Sequence, residues 1–217
     1  MEVAMMNVIG HVVSVNVGLP RTVSWHGRNV TSAIWKQPVR GRRPLRGVNV
    51  DGDDQADRRV HGGPTKAVYA YALEDYAWWG GVLGTSLDPG TFGDNLTVSG
   101  VDLADRVIGE HWKIGTAVVR VTEPRIPCFK LGMRMGDAGF VDRFATAARP
   151  GSYVAIAGDG DVGAGDAIEL LDRPEHDVTI GIVERAYHGD RELRHRLVDL
   201  PELSPVWREW AARALAR

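Results

Sequence analysis

The chain carries one cysteine, Cys128, in the run Pro124-Arg125-Ile126-Pro127-Cys128-Phe129-Lys130. A lone thiol forms no internal disulfide and builds no four-thiolate cluster. What remains is nucleophilic chemistry, a single thiolate ligand to a soft metal, or a small apolar residue in the core. Two prolines hold the local backbone extended and remove two amide donors. Arg125 and Lys130 bring positive charge close in sequence, which favours thiolate over thiol. If the segment stays extended through Lys130, Cys128 and Lys130 share a face, because side chains alternate with period two.

Four further segments carry chemistry in their residue types. In Asp51-Gly52-Asp53-Asp54-Gln55-Ala56-Asp57, four carboxylates fall within seven positions. Their spacing does not fit a calcium loop, whose twelfth position is glutamate; here it is Gly62. A turn with one or two functional carboxylates fits better. Val60-His61-Gly62-Gly63-Pro64-Thr65-Lys66 pairs two glycines with a lysine. The glycines let backbone amides approach an anion and Lys66 supplies countercharge, although a tight turn before a strand reads the same way. His61 has no second histidine at zinc-ligand spacing. Phe92-Gly93-Asp94-Asn95-Leu96-Thr97 offers a glycine turn with amide and hydroxyl donors. Lys36 with Arg40, Arg42, Arg43 and Arg46 is basic, and a solvated face is its default reading. No nucleophile elbow and no dinucleotide fingerprint is present.

These residues need a scaffold. The 217-residue chain is 44% hydrophobic and 25% charged, with net charge −2, so a core is expected and no basic field argues for nucleic acid. Glycine at 26 and proline at 11 suit a turn-rich β architecture. His11 to Val17, Ala117 to Thr122 and Tyr153 to Ala157 read as strands. Gly109-Glu110 and Gly165-Asp166 precede two more β-like runs. One helix is expected inside this region, from about Leu73 to Leu83. Beyond Asp172-Arg173-Pro174 the pattern changes. Three short helices are expected at Thr179–Tyr187, Asp190–Leu197 and Ser204–Leu215, with Asp190 and Ser204 as caps and Pro205 at the first helical position. We therefore expect a mainly β barrel over residues 1–172 with a few helices, and a three-helix extension over 173–217. That extension is too small for its own core, so it packs on the barrel or on a second subunit, and a homodimer is one arrangement. No export signal opens the chain and no apolar run reaches the roughly 18 residues of a membrane span. With one reduced cysteine, this points to the cytoplasm and away from membranes.

Taken in order, Ala33-Ile34-Trp35-Lys36-Gln37-Pro38-Val39 and the four segments around Asp53, Gly62, Asn95 and Cys128 resemble a MOSC domain, named for the C-terminal domain of molybdenum cofactor sulfurase. Order and spacing look most like the YiiM-type branch, whose members end in a three-helix extension. The resemblance covers nearly the whole chain. It implies a β-barrel that binds molybdenum cofactor (molybdopterin with Mo), with Cys128 as the protein ligand to the metal. It further implies reduction of N-hydroxylated small molecules such as hydroxylamino purines to the amine. The pterin phosphate would be held by Lys36, Lys66, Arg125 and the Gly62-Gly63 turn, Asn95 and Lys130 would join them in binding the cofactor, and His61 or Asp57 would relay protons. Asp94 stands where the family has glutamate, and no role is given to it. With Cys128 spent on the metal, no thiolate remains for an iron–sulfur cluster, so electrons are expected from a separate flavin or iron–sulfur reductase. The helical tail is a candidate docking surface for it. Two alternatives remain at this point: a carrier of the cofactor or of a persulfide that performs no catalysis, and a cofactor-free small-molecule binding module.

Overall fold

The protein, seen in a computed structural model, is described over residues 7–57 and 62–216. His61 therefore lies outside the described residues. The strands are β1 (Val8–Val17), β2 (Arg21–Trp25), β3 (Arg28–Ser32), β4 (Gln37–Pro38), β5 (Arg43–Arg46), β6 (Asn49–Val50), β7 (Val68–Ala72), β8 (Leu96–Ser99), β9 (His111–Ile114), β10 (Ala117–Glu123), β11 (Ser152–Gly158), β12 (Gly160–Val162) and β13 (Ala167–Asp172). The helices are α1 (Leu73–Leu83), α2 (Phe129–Met135), α3 (Phe140–Thr146), α4 (Ile180–Tyr187), α5 (His195–Val198) and α6 (Pro205–Leu215).

Seven strands run in the order β13-β9-β10-β11-β7-β8-β1, and β13 pairs back onto β1 to close the barrel. Closure removes free sheet edges. At the seam Gly10 of β1 faces β8 so closely that a Cβ there would sit 2.6 Å from the Ser99 carbonyl oxygen. β7 and β8 run parallel with α1 as their crossover, as a parallel pair requires. Every residue of β7 is buried, for two different reasons. Val68, Ala70 and Ala72 fill the barrel. Tyr69 and Tyr71 point outward into an aromatic cluster with Tyr76 and Trp79 of α1, Phe92, and Phe140 and Phe144 of α3. The two faces of one strand thus serve two cores.

The expected strands and α1 are present. Among the described residues the barrel region holds three α-helices rather than one. α2 and α3 follow Cys128 directly, and α2 stops at Gly136 in the left-handed conformation, φ 69°. Because Cys128 is still extended (φ −131°, ψ 172°) while Lys130 is already helical, strand alternation does not relate the two.

The C-terminal helices lie on the barrel itself. Ile180, Val183, Ala186, Leu197, Leu203, Trp207 and Ala211 are buried in the same core as the barrel interior. Main-chain bonds Ile180 N–H to Arg106 O and Gly181 N–H to Ala104 O staple the start of α4 to the loop before β9. Thr179 caps α4 through its side chain. The expected Asp190 cap is not made: a 3-10 turn at Glu192–Arg194 intervenes before α5. Among the described residues no helix is long and apolar enough to cross a membrane.

Candidate functional site

A cleft opens where the β2–β4 region and residues 54–56 approach the outer face of β7, β10 and β11. Lys36, Gly62, Lys66, Asn95, Arg125, Cys128 and Lys130 all line it, joined by Gln55, Tyr69 and Tyr153. Segments far apart in the chain therefore converge on the thiol. Asp57 is half-buried and outside that lining, and Gly63 caps the 3-10 turn Pro64–Lys66 that presents Lys66. The arginines 40, 42, 43 and 46 do not line the cleft. Arg42 instead pairs with Asp166 at 2.8 Å on the surface.

The cleft floor is a buried polar network. Lys36 Nζ donates to both Asp53 oxygens at 2.5 Å. Asp53 also accepts from the Gly18 amide at 2.8 Å and from Asn95 Nδ2 at 2.9 Å. Asn95 Oδ1 in turn accepts from the Tyr69 amide at 3.2 Å. Burial pulls the Lys36 pKa below its ordinary value, and Asp53 opposes that pull. Beneath lies Asp94, fully buried. It accepts from Tyr76 Oη at 2.6 Å, Thr97 Oγ1 at 2.6 Å and Asn16 Nδ2 at 3.2 Å. These three donors are neutral, and burial pushes its pKa up. Asp94 thus ties β1, α1 and β8 together, a structural task its sequence context did not reveal. Gly93 beside it adopts φ +79°, and a Cβ there would meet Ile34 Cγ1 at 2.9 Å, so the turn needs glycine.

Arg125 is the informative cation. It is buried, donates to the Phe92 carbonyl, and stacks over the Tyr69 ring with 5.1 Å to the centroid. Burial works against its charge, but Tyr69, Tyr153 and Cys128 outweigh that and hold its pKa above the ordinary value. Among the described residues no carboxylate pairs with it. A buried guanidinium without a carboxylate is expensive unless an anion joins it. Lys66 sits 3.7 Å from Glu123, and Glu123 also accepts from Trp207 Nε1 at 2.6 Å, so α6 reaches the cleft wall through one carboxylate.

The orientation of Glu123 follows from a bulge. β10 sends Ala117, Val119 and Val121 inward. The register shifts between Val121 and Glu123, and Glu123 pairs with Tyr153, which pairs with Tyr69. Opposed residues share a face, so the bulge places Glu123 in an outward row with the two tyrosines. Cys128 is partly buried and reduced, at the end of the extended run from β10. Among the described residues no group of three or more His, Cys, Asp or Glu forms a metal cage. The donor set is one thiol surrounded by Arg125, Lys66 and Lys130. It suits a soft metal that brings most of its own ligands on an anionic organic group.

Comparison with known proteins bears on the family and the fold. The MOSC domain model matches residues 57–169. An uncharacterised protein, YflK, of Bacillus subtilis (strain 168) is 35% identical over 91% of this chain and 90% of its own length. A protein named Reductase from Gibberella moniliformis is 34% identical over 68% of this chain but only 27% of its own length. The crystal structure of YiiM from Geobacillus stearothermophilus superposes with TM-score 0.80 at 27% identity, covering 95% of this chain and 99% of that one.

Proposed function

We propose a function from one premise: the chain belongs to the MOSC domain family and is YiiM-like. In this reading it is a cytoplasmic, molybdenum-cofactor-dependent reductase of N-hydroxylated compounds. MOSC domains are generally associated with molybdenum cofactor. The observation that carries the reading is Arg125, a buried cation with no carboxylate ion pair among the described residues, lining the same cleft as Cys128.

The residues present fit the cofactor. Cys128 would supply the single protein thiolate to the metal. Arg125 and Lys66 would hold the pterin phosphate, with the Gly62-Gly63 amides and Lys130 at the rim. Lys36 and Asn95 act on the same site from its floor, by fixing Asp53 and the β7 backbone. When bound, the cofactor supplies two-electron removal of oxygen from the N–O bond. The balance is one N-hydroxyl compound, two electrons and two protons giving one amine and one water. We assign delivery of those protons to His61 or Asp57.

Electrons come from elsewhere. Once Cys128 is committed to the metal, the chain has no thiolate for an iron–sulfur cluster, and it carries no nicotinamide fingerprint. The Gibberella moniliformis relative supports this: the stretch similar to this chain is a minor part of a longer protein named for reduction. The test is turnover of an N-hydroxylated purine by metal-loaded protein, first with NADH alone and then with a flavin or iron–sulfur reductase added. The account expects product only in the second case. Sustained turnover with NADH alone contradicts the electron route, and no turnover in either case leaves a carrier.

A further inference from the structure

We propose that the hydroxyl of Tyr153 recognises the oxygen of the N-hydroxylated substrate and so distinguishes it from the amine product. This rests on the function proposed above and adds to it the residue that sets specificity.

Several polar groups in and around the cleft are already committed. Lys36 and Asn95 bind Asp53. The Tyr69 hydroxyl donates to the Pro150 carbonyl at 2.8 Å. Glu123 takes Trp207 and faces Lys66. Tyr153 stands between Glu123 and Tyr69 in the cross-strand row, its ring centroid 5.1 Å from that of Tyr69. It lines the cleft, and among the described residues nothing hydrogen-bonds its hydroxyl. Arg125, Glu123 and Cys128 are the groups it interacts with electrostatically. The cleft is thus lined by a neutral phenol whose hydroxyl has no hydrogen-bond partner among the described residues.

A phenol donates one hydrogen bond and accepts others. An N-hydroxyl group can take both, accepting at oxygen and donating its own O–H. An amine lacks that oxygen, so the phenol gains nothing when the product occupies the same place. Burial pushes the Tyr153 pKa up, which keeps the proton in place. The cations Arg125, Lys66 and Lys130 suit the phosphate better than a neutral phenol does. A site that hydrogen-bonds a substrate hydroxyl rejects the analogue without it.

The experiment uses Tyr153→Phe, which keeps the ring against Tyr69 and removes an oxygen that has no hydrogen-bond partner among the described residues. Dissociation constants of an N-hydroxylated purine and of its parent aminopurine are measured on metal-loaded protein without reductant. Inorganic phosphate affinity and molybdenum content are measured alongside. Wild type is expected to prefer the N-hydroxylated compound. The variant should bind it about tenfold more weakly, with the parent amine, phosphate and metal unchanged. An undiminished preference in Tyr153→Phe overturns the role of Tyr153 alone. Weakened phosphate binding makes Tyr153 an anion ligand and overturns it as well. A wild type without any preference overturns the proposed function itself.

Discussion

Lys36 and Asp53 meet at 2.5 Å on the cleft floor, with side chains only 8% and 0% exposed. The two ends of this pair are unequally supported. Asp53 keeps donors from Gly18 and Asn95 when the lysine is removed, whereas among the described residues the Lys36 ammonium hydrogen-bonds Asp53 alone. Asp53→Ala should therefore cost about 3–5 kcal/mol of stability, and Lys36→Met should cost less. Urea unfolding checks both. Equal costs, or none for Asp53→Ala, would contradict the network.

Anion binding should track Arg125 more than Lys66. Arg125 is buried with no carboxylate ion pair among the described residues, whereas the Lys66 side chain is 31% exposed and faces Glu123. Removing Arg125 should weaken phosphate binding by about 1.5–3 kcal/mol. Arg125→Lys should recover only part of this, because an ammonium lacks the planar fork. Titration calorimetry with inorganic pyrophosphate reads the difference. Lys66→Ala losing more than Arg125→Met would reverse the assignment.

A third prediction concerns pH. Burial pushes Glu184 of α4 up to about 7 against the opposing charge of Arg185. The folded protein then binds more protons at this site than the unfolded chain between about pH 4.5 and about 7. Stability from Glu184 is thus fully present below that window and lost as pH rises through it. His188, 3.8 Å away, works in the opposite direction, since burial lowers its pKa. Glu184→Gln isolates the carboxylate's share. The variant should gain about 1–3 kcal/mol relative to wild type between pH 5 and pH 8. Parallel stability curves would show that Glu184 titrates normally.

Much of the fold is legible in the residue pattern, because β-branched alternation in β1 and β10 and the helical spacing of α1 and α6 obey local rules. α2 and α3 are not, since Phe129–Met135 has no clean period and its backbone follows Pro127-Cys128 as if extended; Gly136 was the one available stop signal. The tail's apolar stripe is legible, but its destination is set by tertiary packing: Trp207 and Ala211 close onto the barrel core. In the site, the cations and the thiol stand in recognisable motifs. Asp53 and Asp94 gain their places through hydrogen bonds from segments distant in sequence, and Glu123 through a bulge in β10, which single-residue patterns do not encode.

The central claim is that Cys128 holds molybdenum in this cleft. Its most direct test is metal content of wild type and Cys128→Ala, both purified from cofactor-competent cells, with unfolding midpoints compared to establish equal folding. Cys128 is only partly buried and makes no side-chain cap to α2, so the variant should fold like wild type. The account predicts molybdenum in wild type and loss of most of it in Cys128→Ala; equal occupancy in the two proteins would contradict it.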